Sequence, residues 1–246
     1  MIRLAFALLP VLSLHAAAQE LQRAPRGVLL PGIGENDPRR RVDAAQMPWR
    51  ALGRVQLDVG GRCTGVLIAP DRVLTAAHCL VGPRSGNFVR PGTVNFLLGY
   101  ANGEWVAAAK GASYVTGPAF VPGLGPASAD WAVLTLGRPI NAPDRVLPLI
   151  REPPPPRTPI MLGGYQQDRP EVIMADTDCR LVGVQRHPDG GRTVVHDCAG
   201  TRGSSGAPLL ARMPDGRWGV IGVQSATSPD IALGHAALAG VVGEGR

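Results

Sequence analysis

The chain has 246 residues, 45% of them apolar and 18% charged, with 32 glycines, 24 prolines and a formal net charge of +6. An apolar fraction of this size builds a core and excludes a disordered chain, and the glycine and proline content points to many turns. Lys110 is the only lysine, and the arginines are scattered apart from Arg39-Arg40-Arg41; with no basic helix and no interleaving of aromatic and basic residues, the pattern argues against nucleic acid as a partner.

Residues 1–18 have the form of a signal peptide. Arg3 supplies the positive start, Leu4 to Leu14 the apolar run, and Ala16-Ala17-Ala18 a small-residue cleavage site that leaves Gln19 first. The run is too short to span a bilayer core of about 30 Å. The expectation is a secreted or periplasmic protein with no membrane span after signal removal. Residues 19–41 contain Pro25, Pro31, Gly32, Gly34 and Pro38 without periodicity and read as a propeptide or loosely packed lead-in. A cut is expected after Arg26 or Gly27, or after Arg41.

From Pro48 the pattern becomes strand-like. Ala51, Val55, Leu57 and Val59 nearly alternate, Gly60-Gly61 turns the chain, and Cys63 to Ile68 is a second strand. Val73-Leu74 leads into a histidine loop. Thr93 to Leu98 and Trp105 to Ala109 flank Asn102-Gly103, a hairpin signal. Trp131 to Leu136 closes the first unit, residues 42–136. Residues 137–159 form a linker with the stiff run Pro153 to Pro156. In the second unit, 160–246, strands are predicted at Ile160 to Tyr165, Asp178 to Gln185, Thr193 to Asp197, Ala207 to Arg212, Trp218 to Ser225 and Ile231 to Ala236. No long 3.6-period helix follows the signal peptide, so the fold class is all-β. Export makes the four cysteines, Cys63, Cys79, Cys179 and Cys198, two disulfides with three possible pairings. No C-x-x-C spacing suggests a metal site.

Three short motifs carry chemistry. Leu74-Thr75-Ala76-Ala77-His78-Cys79 supplies an imidazole, Asp130-Trp131-Ala132-Val133-Leu134 a carboxylate at the head of an apolar run, and Gly203-Ser204-Ser205-Gly206-Ala207-Pro208 a hydroxyl in a glycine turn. A reactive serine needs a base for its proton and donors for the oxyanion it creates. The order His78, Asp130, Ser205 is one of the known orders of a serine triad. Together, from about Pro48 onward, these segments resemble the trypsin/chymotrypsin-like serine proteases.

That resemblance implies two six-stranded antiparallel β-barrels, His78 and Asp130 in the first and Ser205 in the second, with the active site in the cleft between them. His78 would be general base and acid, Asp130 its orienting carboxylate and Ser205 the nucleophile, since Gly203, Gly206 and Pro208 fit the family's frame around Ser205 and not around Ser204. The N–H groups of Gly203 and Ser205 would form the oxyanion hole. A Cys63–Cys79 histidine-loop disulfide is implied, leaving Cys179 and Cys198 to each other. Ala199, Ser225, Ala226 and Thr227 fall at substrate-binding positions. The chemistry implied is hydrolysis of a protein or peptide by a monomer without cofactor or metal, through an acyl-enzyme. A non-catalytic binding module on the same fold is the alternative; loss of a triad residue would favour it, and all three are present.

Two features depart from trypsin. Ser204 stands where trypsin-like zymogens carry an acid, and Val42 precedes Pro48 by only six residues. Both are similar to the bacterial glutamyl-endopeptidase-like branch, as is Pro48-Trp49-Arg50-Ala51-Leu52-Gly53-Arg54 ahead of Cys63-Thr64-Gly65, which places the mature start at Val28 or nearby. Yet Gln224 occupies the place of that branch's histidine and Ala199 that of trypsin's acid, so an uncharged pocket for small or medium apolar side chains is expected. His187, His196 and His235 read as ordinary polar residues.

Overall fold

The computed structural model describes residues 30–242; residues 1–29, with the expected signal peptide, and 243–246 lie outside the described part. Among the described residues thirteen strands form the fold, and the only helical turns are short 3-10 turns. No helix among them is long and apolar enough to cross a membrane.

The first barrel is β2 (Leu52–Leu57), β3 (Arg62–Ala69), β4 (Arg72–Thr75), β5 (Val94–Leu98), β6 (Ala107–Thr116) and β7 (Ala132–Leu136), closed in the order β2-β3-β4-β7-β6-β5. Alternation explains the strands: Val94, Phe96 and Leu98 of β5 point into the core, while Asn95 and Leu97 are half-buried. The β5–β6 hairpin turns at Asn102 and Gly103, whose positive φ values of 50° and 88° are those a tight I′-type connection needs.

The second barrel is β8 (Pro159–Gln166), β9 (Arg169–Arg186), β10 (Arg192–His196), β11 (Pro208–Arg212), β12 (Trp218–Thr227) and β13 (Gly234–Leu238). Its ladder runs β9-β10-β13-β12-β11-β8 and closes because β8 pairs back onto β9. Each barrel thus places its strands, counted within the barrel, in the same cyclic order. Strand β9 begins nine residues before its predicted start at Asp178, and β13 lies a few residues later than predicted.

The lead-in is the clearest difference from the sequence reading. β1 (Arg40–Arg41) pairs antiparallel with β9, Arg40 opposite Ala175 and Arg41 opposite Met174. Ile33 and Arg39 are buried. The described part of this segment is packed, not loose, because its polar groups find partners across the second barrel. The 137–159 connection is also anchored: Leu147 N–H donates to Leu67 O of the first barrel at 3.0 Å, and Ile150 N–H to Val220 O of the second at 2.8 Å.

Candidate active site

His78 follows directly from strand pairing. β4 pairs with β7, Thr75 opposite Ala132, so the turn after β4 and the residue before β7 meet at one end of the barrel. His78 sits in the 3-10 turn Ala77–Leu80, and the Cys79–Cys63 disulfide ties that turn to β3. Asp130 accepts the His78 backbone N–H on Oδ1 at 2.9 Å and the ring Nδ1–H on Oδ2 at 2.7 Å. That bond places the ring proton on Nδ1 and leaves Nε2 an acceptor. The Asp130 side chain is 7% exposed and that of His78 37%, so a dry carboxylate backs a solvent-reaching imidazole. Burial works to raise the Asp130 pKa, but the hydrogen bonds from His78 and the Ser225 hydroxyl outweigh it and hold the carboxyl below its usual range.

Ser205 arrives from the other barrel, on the loop between β10 and β11. Its carbonyl accepts from Thr64 N–H at 2.9 Å, one residue from Cys63. Gly206 packs on the histidine loop itself: a Cβ there would stand 2.2 Å from Thr64 O and from Thr75 Oγ1, and its φ is +78°. Gly203, at φ +91°, would drive a Cβ to 2.2 Å from Tyr165 O. Only glycine satisfies both positions, and the close approach at Gly206 seats the turn against Thr64 and Thr75, at the end of the strand that leads to His78. The Ser205 hydroxyl makes no hydrogen bond among the described residues; such contacts are often loose before substrate binds.

The backbone of this loop is otherwise accounted for. N–H groups of Gly200, Thr201, Ser204, Gly206 and Ala207 all donate to acceptors. Among the described residues those of Gly203 and Ser205 do not, and neither does that of exposed Arg202. A pair of uncommitted N–H groups flanking a serine is suited to receive an oxyanion. Ser204 is 1% exposed, and its hydroxyl donates to Thr201 O at 2.7 Å, a bond that commits it within the loop.

The expected substrate positions behave differently from one another. The β12–β13 register slips between Gln224 and Ala226, and the Ser225 hydroxyl reaches Asp130. Ala226 is exposed and Thr227 half-exposed, available along the strand. Ala199 is fully buried, its N–H donating to Asp176 Oδ2 at 2.9 Å. Gln224 is 1% exposed and engaged at both ends: its Oε1 accepts from His196 Nε2 at 2.6 Å and its Nε2 donates to Ala226 O at 2.9 Å. His196 is thus not an ordinary polar residue. It is fully buried, takes the Cys198 N–H on Nδ1 at 3.2 Å, and burial pushes its pKa down to about 4, a neutral ring. Sequence reading missed it because its partners lie in other strands. Cys179 and Cys198 form the second disulfide. Cys63, His78 and Cys79 cluster closely, but the two sulfurs bond each other and offer no thiolate to a metal.

Residues 63–223, more than half of the chain, match the family described as Trypsin-like peptidase domain. A glutamyl endopeptidase of Bacillus licheniformis is 36% identical over 63 residues, 26% of this chain and 20% of that protein. A trypsin-like protease of Streptomyces glaucescens is 29% identical over 188 residues, 70% of this chain and 66% of that protein. The chain therefore spans less than two thirds of the length of either relative. A solved structure of a Glu endopeptidase in complex with MPD superposes with a TM-score of 0.70 at 19% identity, covering 84% of this chain and 93% of the other, a likeness of fold.

Proposed function

The chain belongs to the trypsin-like peptidase domain family, and from that premise we propose that it is an exported serine endopeptidase acting through His78, Asp130 and Ser205. The observation that carries the reading is the pair of uncommitted N–H groups on Gly203 and Ser205 beside an imidazole oriented by Asp130. His78 Nε2 takes the Ser205 proton as Oγ attacks the scissile carbonyl, and the oxyanion forms against the two N–H groups. Asp130 stabilises the resulting imidazolium without taking its proton. His78 then protonates the departing amine, and water repeats the sequence in reverse roles to release the acyl group from Ser205.

Export is supported by the form of residues 1–18 and by the two disulfides, which persist in oxidising compartments. One relative is named for glutamate, yet of the described residues at the expected pocket positions Ala199 carries no charge, His196 is neutral and Gln224 is engaged at both ends. Small or medium apolar side chains are the proposed P1 class. A fluorophosphonate probe tests the enzymatic reading. Covalent labelling mapped to Ser205 is expected; a folded protein that takes no label at any serine belongs to the binding-module alternative.

A further inference from the structure

The segment Leu30–Arg41, which the sequence marks as removable, is built into the loop that carries Ser205. Arg39 is 7% exposed. Its Nε and Nη2 donate to Asp37 at 2.9 and 2.8 Å, and its Nη1 and Nη2 to Asp168 at 3.0 and 2.9 Å. Nη1 also donates to Gln166 Oε1 at 2.7 Å. Burial opposes the guanidinium charge, but the Asp37 and Asp168 carboxylates outweigh it and keep Arg39 firmly protonated. Gln166 is itself fully buried, and the same Oε1 accepts the Thr201 N–H at 2.8 Å. One residue earlier, Gly200 N–H donates to Gly32 O at 2.9 Å. Gly32 also abuts β12: a Cβ there would stand 2.8 Å from Thr227 Cβ and 2.2 Å from Gly200 O.

We infer that Leu30–Arg41 is a retained brace of the active-site loop, and that Arg39 is a positioning residue that acts through Gln166 and Thr201 to hold the loop in the form that exposes the Gly203 N–H. The inference rests on the serine-protease reading of Ser205. Ser204, where trypsin-like zymogens carry an acid, closes only a local turn onto Thr201 O. Thr64 ties the loop to the first barrel, its N–H donating to Ser205 O and its hydroxyl to Gly203 O, each at 2.9 Å; Arg39, 127 residues from Gln166 in sequence, adds a second long-range anchor through Gln166. A maturation cut must then fall before residue 30, and the site after Arg41 is excluded.

The test uses full-length protein. Gln166→Leu severs the link from Arg39 to Thr201 while leaving the guanidinium its two carboxylates; Arg39→Ala removes the anchor. Because donor aim matters in the transition state, kcat is expected to fall about 10²-fold in both, with KM changing less than about 3-fold, on a peptide substrate and per fluorophosphonate-reactive site. Methylguanidine added to Arg39→Ala should restore part of kcat, which lost fold stability alone would not allow. A natively folded Gln166→Leu with kcat within about 2-fold of wild type overturns the inference, and it decides the matter even where Arg39→Ala does not fold. So does a fully active mature protein whose sequenced N-terminus is Val42. Wild-type protein that neither turns over nor takes the label removes the reading of Ser205 and the brace with it, a different result from an active Gln166→Leu.

Discussion

Asp130 holds His78 at two points, its Oδ1 on the backbone N–H at 2.9 Å and its Oδ2 on the ring Nδ1 at 2.7 Å. The first bond fixes where the residue stands, the second which nitrogen carries the proton. Asp130→Asn keeps the shape but replaces an acceptor-only group with one that can turn an NH2 toward Nδ1, favouring the wrong tautomer. A loss of about 10⁴ in kcat is expected, the size of effect that the same Asp→Asn replacement has in a serine triad when it stabilises the wrong tautomer. Steady-state kinetics check it; a loss under about tenfold would deny Asp130 the orienting role.

The two adjacent serines should separate cleanly. Ser205→Ala should abolish turnover and fluorophosphonate labelling while the fold is kept, because Ala fits the turn. Ser204→Ala deletes one buried hydrogen bond to Thr201 O, worth about 1 kcal/mol of stability, and should retain most activity. Active Ser205→Ala with inert Ser204→Ala would reverse the assignment.

Much of this was legible in the chain because the signals are local. The His78, Asp130 and Ser205 motifs are runs of a few residues, and Val94, Phe96 and Leu98 announce their strand by alternation. What was hidden depends on partners far away in sequence. Arg39 sits in a stretch broken by proline and glycine, and its ligands Gln166 and Asp168 lie 127 and 129 residues on. His196 shows its type in the sequence but not its burial against Gln224, 28 residues away. The early part of β9 escaped notice because register shifts against β8 and half-exposed residues blur its two-residue period.

His196 gives the protein a stability slope on the acid side of neutrality. Its folded pKa, about 4, lies below the unfolded value of 6.5, so between these the unfolded chain binds a proton the folded chain refuses. Stability is complete above pH 6.5 and declines as pH falls toward 4. From pH 7 to 5 the loss should be about 2 kcal/mol. His235, lowered by burial and by His187, acts in the same direction. Asp130, with its lowered pKa, adds its loss only at more acid pH, below the usual carboxylate value of 3.8. Urea midpoints at pH 7 and 5 for wild type and His196→Gln measure the slope. Equal slopes in the two proteins would mean His196 is not the group responsible.

Substrate choice should follow from what the pocket region lacks. Bringing a Lys or Arg side chain against buried Ala199 without a counter-charge desolvates a cation at a cost of several kcal/mol. The buried acid bonded to that backbone, Asp176, turns its oxygens to the N–H groups of Ala199 and Asp178, at 2.9 and 3.2 Å, so a cation that does not reach it is left unpaired. A Glu side chain fares little better, since His196 is neutral and Gln224 spends its carbonyl on His196 and an N–H on Ala226 O. Apolar P1 residues such as Ala, Val or Leu carry neither cost. Discrimination among them should be modest, since one methylene in such a pocket is worth about 1–3 kcal/mol. A peptide library with all P1 residues, its products read by mass spectrometry, measures the order directly. Dominant cleavage after Lys or Arg would defeat the uncharged-pocket argument. Dominant cleavage after Glu would require a cation at the site, and exposed Arg202, three residues before Ser205, is the first to replace by Gln.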